Sequence, residues 1–223
     1  MANQNDSFID EVTDELRRDR LFATFRRYGW IAALVILGIV GGAIWREVSI
    51  SRALSEAQAF GDAVLAAETG GDPAALSGVE THGVAGRKAI LGMIAAGEMA
   101  AAGDAAGAAA ALQDAATAVD GIDPVLHDLA QLKLVILQGA TMEPAMRDQM
   151  LTELSRAGAP FELLALEQKA VALIGAGRKD DAVTLIRQIQ AKAGVSEALR
   201  RRLSEMMIAL GVEPEPTDSL MAE

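Results

Sequence analysis

The 223-residue chain carries 31 acidic and 20 basic side chains, a formal net charge of −11, and contains no cysteine. The missing thiols exclude disulfides, a cysteine nucleophile and a lipid-modified cysteine anchor within this sequence, and the acidic balance argues against nucleic acid as a partner. Aromatic residues make up only 4 % of the chain, whereas alanine and glycine are abundant. That composition is typical of helices that pack closely through small side chains.

The first predicted element is an amphipathic helix over residues 7–25, SFIDEVTDELRRDRLFATF. Ser7, followed three residues later by Asp10, is similar to the capping box that begins many helices. The apolar residues that follow share one helical face: Ile9, Val12 and Leu16. Two interpretations stay open, a solvated helix beside the lipid surface and a docking helix for a membrane-protein partner.

Residues 28–45, YGWIAALVILGIVGGAIW, are uncharged and are bracketed by an arginine at each end. As a helix they would be about 27 Å long, close to the hydrocarbon thickness of a bilayer. Tyr28, Trp30 and Trp45 stand where aromatic side chains favour the headgroup level. A buried helix in a soluble core would have to be apolar on every face, so the pattern favours a transmembrane helix.

Basic residues flank this helix unequally, with five arginines before it and two after it: Arg17, Arg18, Arg20, Arg26 and Arg27, then Arg46 and Arg52. The side richer in basic residues stays in the cytoplasm, which predicts a cytoplasmic segment over 1–27 and an exported segment from residue 46 onward. The alternative is a cleaved signal peptide, with Gly41 and Ala43 as small residues at the cleavage site. Because residues 1–27 hold six acidic side chains, unlike a short basic leader, we favour an uncleaved signal anchor.

Within the transmembrane helix, Gly38 and Gly42 form a GxxxG pair. Small residues four positions apart let two helix backbones approach closely in lipid. The pair is therefore a candidate for helix–helix packing, although the pattern also arises by chance in glycine-rich spans.

Beyond Trp45 the helix is expected to continue to about Glu68, and helical periodicity then recurs up to residue 210 without a credible β segment. Seven helices are predicted, separated by turns rich in glycine and proline: 84–101, 105–119, 124–138, 144–157, 160–175, 179–193 and 196–210.

The helices recur in pairs, because Gly103, Gly139 and Gly177 each close a helix and lie 36 and 38 residues apart. This period is near the roughly 34 residues of a tetratricopeptide repeat, which the residues resemble. Small or apolar residues occupy the positions where paired helices would meet: Ala96, Met99, Ala108, Leu112 and Ala115, then Ala170, Leu173, Ala182, Ile186 and Ile189. The expected fold is all-α, a tetratricopeptide-repeat-like solenoid over 46–211, although a generic helical bundle would share most of the pattern. The unit around Gly139 fits less well, because a longer loop follows it.

The sequence offers no convincing catalytic, cofactor or metal site, which predicts a protein that is not an enzyme and has no small-molecule substrate. His82 and His127 lack partners at a metal-ligand spacing and are expected to be ordinary surface residues. The stretch from Gly83 to Lys88 lacks the spacing and the hydroxyl residue of a phosphate loop, and Gly175–Gly177 follows no strand. The three arginines at 200–202 are expected to be a solvated or salt-bridging strip rather than a binding patch. Residues 212–223, with two prolines, are expected to be a disordered tail.

The overall layout resembles the bacterial family of ancillary SecYEG translocon subunits. The residues that carry the resemblance are the segment SFIDEVTDELRRDRL before the anchor, the AQAF-containing helix directly after it, and about three degenerate tetratricopeptide units. The resemblance implies a periplasmic domain that associates with the SecYEG channel and with a membrane-anchored periplasmic chaperone of the prolyl-isomerase type. It implies no catalytic residues.

The first hypothesis is therefore a non-enzymatic adaptor or chaperone-assisting subunit at the export channel. The chain would be anchored in the bacterial inner membrane by one span, with a cytoplasmic N-terminus. The alternative is a membrane-anchored scaffold for another envelope complex, such as cytochrome maturation or cell division. An array of repeats without catalytic groups usually works as a binding surface.

Overall fold

The computed structural model describes residues 3–70, 75–76 and 78–213, and in these ranges the regular elements are helices, without a strand. The predicted all-α class is confirmed. The chain divides into two compact units, Met1–Gly61 and Asp62–Glu223. Most of the predicted disordered tail, from residue 214 onward, lies outside the described residues.

Helix α1 spans Asn3–Thr69. The helix begins before Ser7, so the expectation that Ser7 is its N-cap is wrong. Neither proline nor glycine occurs before Gly29 to interrupt the helix. The predicted apolar face of residues 7–25 depends on side chains that lie outside the described part. Within the described residues, one stretch, Ala33–Thr69, is long and apolar enough to cross a membrane, and none of its most apolar 18-residue window is buried. That exposure does not fit the alternative of a buried core helix.

Seven shorter helices follow, all within the second unit: α2 (Ala85–Ala101), α3 (Ala105–Val119), α4 (Pro124–Gln138), α5 (Pro144–Leu154), α6 (Glu162–Gly175), α7 (Lys179–Gln190) and α8 (Glu197–Ala209). Each lies within three residues of its predicted bounds. A short 3-10 turn, Gly139–Thr141, separates α4 from α5.

The turns explain why the pairs recur and why the middle one differs. Gly103 and Gly177 adopt positive φ angles of 86° and 73°. At both, the glycine N–H and the next N–H donate back into the last helical turn, for example Asp104 to the carbonyl of Met99 at 2.8 Å, which is the Schellman ending. At Gly139 the glycine N–H instead donates to the carbonyl of Val135, and the chain continues into the 3-10 turn.

Two apolar clusters form the core of the second unit. The first lies among α2 to α6 and has 17 buried residues, eight of them alanine, so its helices approach closely. At Gly92 of α2 an added Cβ would lie 3.1 Å from the Cβ of Ala115 in α3. The second cluster is built from larger side chains of α6 to α8, among them Ile186, Ile189 and Leu203.

The predicted meeting positions behave as expected. Eight of the ten are buried, while Met99 and Leu173 are half-buried. Successive helices contact each other from α2 to α8, and α2 also contacts α4, as α4 contacts α6. In stacked helix pairs the first helix of one pair touches the first helix of the next, so these contacts are compatible with a solenoid.

Candidate protein-binding surfaces

The helices of the second unit differ in what they expose. We call α2, α4, α6 and α8 the first helices, and α3, α5 and α7 the second helices. Of the exposed large apolar side chains on these described helices, six belong to the first helices: Ile90, Val125, Ile136, Leu164, Val171 and Ile208. We call this set the first-helix face. Ile136 is 53 % exposed and Ile208 is 62 % exposed.

The second helices expose mainly polar, charged or small side chains. On α7 the exposed residues are Lys179, Asp180, Asp181, Thr184, Arg187 and Gln188. On these helices Met146 of α5 is the exposed large apolar residue. The exposed large apolar side chains are therefore concentrated on the first helices, whereas the second helices present mainly polar side chains to water.

The Arg200–Arg202 run is a salt-bridging strip, as predicted. Arg202 binds Glu167 with two hydrogen bonds of 2.6 and 2.7 Å that join α8 to α6, and the pairing raises the pKa of the Arg202 guanidinium. Arg200 donates to the carbonyl of Val195 at 3.3 Å. Glu167 is only 5 % exposed, so a buried ion pair connects α6 with α8, the last helix.

His127 is not the ordinary surface residue that its spacing suggested. It lies in the first turns of α4, half-buried, with Nε2 3.1 Å from the amide nitrogen of Gln131 and 4.0 Å from Oδ1 of Asp120. Its Nδ1 is 3.5 Å from Oδ1 of Asp128. Asp120 follows the end of α3, and a short turn joins it to α4, the helix that carries the ring, which begins at Pro124.

A groove of about 430 Å³ opens beside His127. Its walls come from α3, α4 and α5: Gln113, Ala116, Thr117, Asp120, His127, Gln131, Leu134, Met146, Gln149, Met150 and Glu153. We call it the α3–α5 groove. Its charged carboxylates belong to Asp120 and Glu153, and neither lysine nor arginine lines it.

Two further cavities lie in the second unit. One, of about 780 Å³, is mainly apolar and lies between α2, α3, Leu76 and residues 78–81. The other, of about 600 Å³, lies between the start of α6 and residues 192–199. At its rim Lys192 donates to Glu162 at 2.7 Å. This contact, with a second from the N–H of Gly158, lowers the pKa of the Glu162 carboxyl.

The remaining sequence candidates are not brought together. His82 is exposed in the loop before α2, with φ of 52°, and the Gly83–Lys88 stretch runs into the first turn of that helix. Gly175 ends α6. Among the described residues, no group of three or more histidine, cysteine or acidic side chains is placed to hold a metal ion. Around Gly38 and Gly42 no atom lies within 4 Å of an added Cβ, and their role in helix packing stays a prediction.

Fold and surfaces define the class: an all-α protein with a long exposed apolar helix near its N-terminus and a domain of paired helices. The chain matches no protein-family model, no curated protein and no solved structure. The resemblance to the translocon subunits therefore rests on the sequence layout alone.

Proposed function

We propose that this protein is a non-enzymatic adaptor, anchored by one membrane span, that binds other proteins at the Sec export channel. Residues 28–45 would cross the inner membrane, residues 1–27 would face the cytoplasm, and the helix pairs would lie in the periplasm. The partners would be SecYEG and a membrane-anchored chaperone of the prolyl-isomerase type.

The observation that carries the binding role is the first-helix face. When a partner covers a half-exposed aliphatic side chain, each Å² of apolar area removed from water stabilises the complex by about 25 cal/mol. The face lies on helices that contact one another, α2 with α4 and α4 with α6. Anchors on neighbouring helices can engage one partner together, as in other arrays of helix pairs.

The anchor is supported by exposed apolar side chains that the fold of the first unit does not cover. Leu34, Leu37 and Ile39 are 56 %, 66 % and 67 % exposed, and a bilayer would cover them without any protein contact. The orientation is supported by the excess of arginine before the span.

The test is site-specific photocrosslinking in intact inner membranes. A photoreactive amino acid at Ile136 or Val171 is expected to capture channel subunits, the chaperone or emerging exported chains, which mass spectrometry identifies. The same group at Gln188, exposed on the polar helix α7, is the matched control and is expected to capture far less. Recovery of cytochrome-maturation or division components instead would support the scaffold alternative.

Topology is tested separately by fusing a reporter enzyme after residue 60. Alkaline phosphatase, which folds actively only outside the cytoplasm, is expected to be active there. An active cytoplasmic reporter at that position would overturn the orientation, and release of the mature chain from the membrane would overturn the anchor.

A further inference from the structure

We propose that the α3–α5 groove is a second binding site, which takes an extended polypeptide segment that carries a lysine or arginine side chain beside an apolar one. The proposal depends neither on the membrane anchor nor on the export channel. It concerns the lining residues of the groove, which are different from the first-helix face.

Charge is the first observation. Asp120 and Glu153 contribute negative charge from two different helices or their ends, and among the lining residues no cationic side chain opposes them. The ionisable neighbours of these carboxylates are His127, 4.0 Å from Asp120, and Arg156, which pairs with Glu153 at 3.3 Å on the surface. A cationic group entering here would meet Asp120 without displacing a lysine or arginine and would compete with the exposed Arg156 for Glu153.

The surrounding sequence strengthens this preference. Residues 98–153 contain nine acidic and two basic side chains, a formal net charge of −7, whereas residues 154–212 contain six acidic and nine basic ones, a net charge of +3. The half of the domain that contains the groove is therefore the more negative one, and an approaching cationic segment would be steered to this half.

Hydrogen-bonding capacity is the second observation. Within the described structure, the side-chain amides of Gln113 and Gln149 make no hydrogen bond, although both line the groove. An amide side chain offers two donors and one acceptor oxygen. Such groups match the alternating N–H and C=O groups of an extended backbone, which a simple cation would not use.

The apolar part of the groove supplies the third observation. Leu134 is buried, whereas Met146 is 54 % exposed and Met150 is half-buried. Methionine is flexible and polarisable and adapts to different apolar side chains. Carboxylates beside an adaptable apolar surface fit a peptide in which basic and apolar residues are neighbours.

The experiment uses the full-length protein in an uncharged maltoside detergent and two fluorescein-labelled decapeptides. One carries Leu-Lys-Leu at the centre of a Gly-Ser background, and the other carries Leu-Glu-Leu. Fluorescence anisotropy is expected to show binding of the lysine peptide, weakened by salt, and at least tenfold weaker binding of the glutamate peptide. Empty micelles measure the contribution of the detergent.

The decisive variant is Asp120→Asn with Glu153→Gln, which is expected to weaken binding of the lysine peptide about tenfold, as the loss of two partly exposed ion pairs would. The matched control, Asp180→Asn with Glu205→Gln, removes the same net charge outside the groove and is expected to change binding less than twofold. Equal weakening by both double variants, or by neither, would overturn the site. A photoreactive amino acid at Gln149 should crosslink the lysine peptide, and failure to do so while the same group at Gln188 succeeds would also overturn it.

Discussion

Replacing Arg202 by alanine is expected to destabilise the C-terminal end of the helix array. The Glu167 side chain is only 6 % exposed, and Arg202 holds both of its oxygens at 2.6 and 2.7 Å. Within the described residues Glu167 has no other hydrogen-bond partner. The variant would therefore leave the carboxylate without its charge partner and without its two hydrogen bonds.

The magnitude follows from the exposure of the two partners. Breaking a fully buried pair typically costs about 3–5 kcal/mol. Because the Arg202 side chain is 44 % exposed, its removal admits water to the carboxylate, and we expect a loss of about 2–3 kcal/mol. For a domain of this size that corresponds to a fall in melting temperature of roughly 4–12 °C.

Circular dichroism of the full-length protein in detergent measures the melting temperature. Hydrogen exchange of peptides from α6 and α8 locates the loss. Tryptophan fluorescence cannot serve, because both tryptophans, Trp30 and Trp45, lie in the first unit. The matched control is Arg201→Ala on the same helix, whose side chain is 75 % exposed and lies 3.9 Å from Glu205; it should cost less than about 0.5 kcal/mol. Equal stability of the two variants would refute the role of the buried pair.

Four further substitutions test other parts of the fold by urea or acid unfolding. Gly97→Ala should stabilise the fold by about 0.5–1 kcal/mol, because an exposed helical glycine gains a side chain with room around it. Gly92→Val should instead destabilise the fold by about 1–3 kcal/mol, because its side chain would force α3 away from α2. The reverse order of stability would contradict the close packing. Asp123→Ala should cost about 1 kcal/mol, since its carboxylate caps α4, and an unchanged urea midpoint would contradict that role. Lys192 lowers the pKa of the Glu162 carboxyl, so the carboxylate stabilises the fold above its ordinary pKa of 4.5, and this contribution is lost as the pH falls through the lower pKa of the folded state. Glu162→Gln should therefore flatten the dependence of stability on pH below pH 4.5. A pH profile parallel to that of the wild type would exclude the contact.

Helix boundaries could be read from the sequence because the residues that end helices act locally. Gly103 and Gly177 take positive φ angles that other residues rarely adopt, and such a position ends a helix wherever it occurs. Gly139 has the same sequence signal but leads into a 3-10 turn. The longer segment between Gly139 and Pro144 is the local feature that distinguishes it, and for that reason the sequence predicts a less regular middle unit.

The candidate surfaces could not be predicted in the same way, because they join residues far apart in the chain. Glu167 and Arg202 are 35 positions apart, and no periodicity pairs them. His127 is different, because its contacts with Asp120, Asp128 and Gln131 all lie within seven positions of it, but they do not form a metal-ligand spacing. The first-helix face could not be predicted from the sequence for another reason. These helices are apolar on several sides, so their composition alone does not tell which side remains in water.

The alanine-rich core also bears on what the exposed aliphatic residues do. Between α2 and α3 the backbones are so close that even a Cβ at Gly92 would lie within 3.2 Å of the Ala111 carbonyl oxygen. At this crossing point there is no room for a larger side chain in place of Gly92. The second helices offer few such residues: Leu112 and Val119 of α3 are both buried, and Met146 of α5 is exposed. Exposed aliphatic residues are thus concentrated on the first helices, in agreement with the binding surface proposed above.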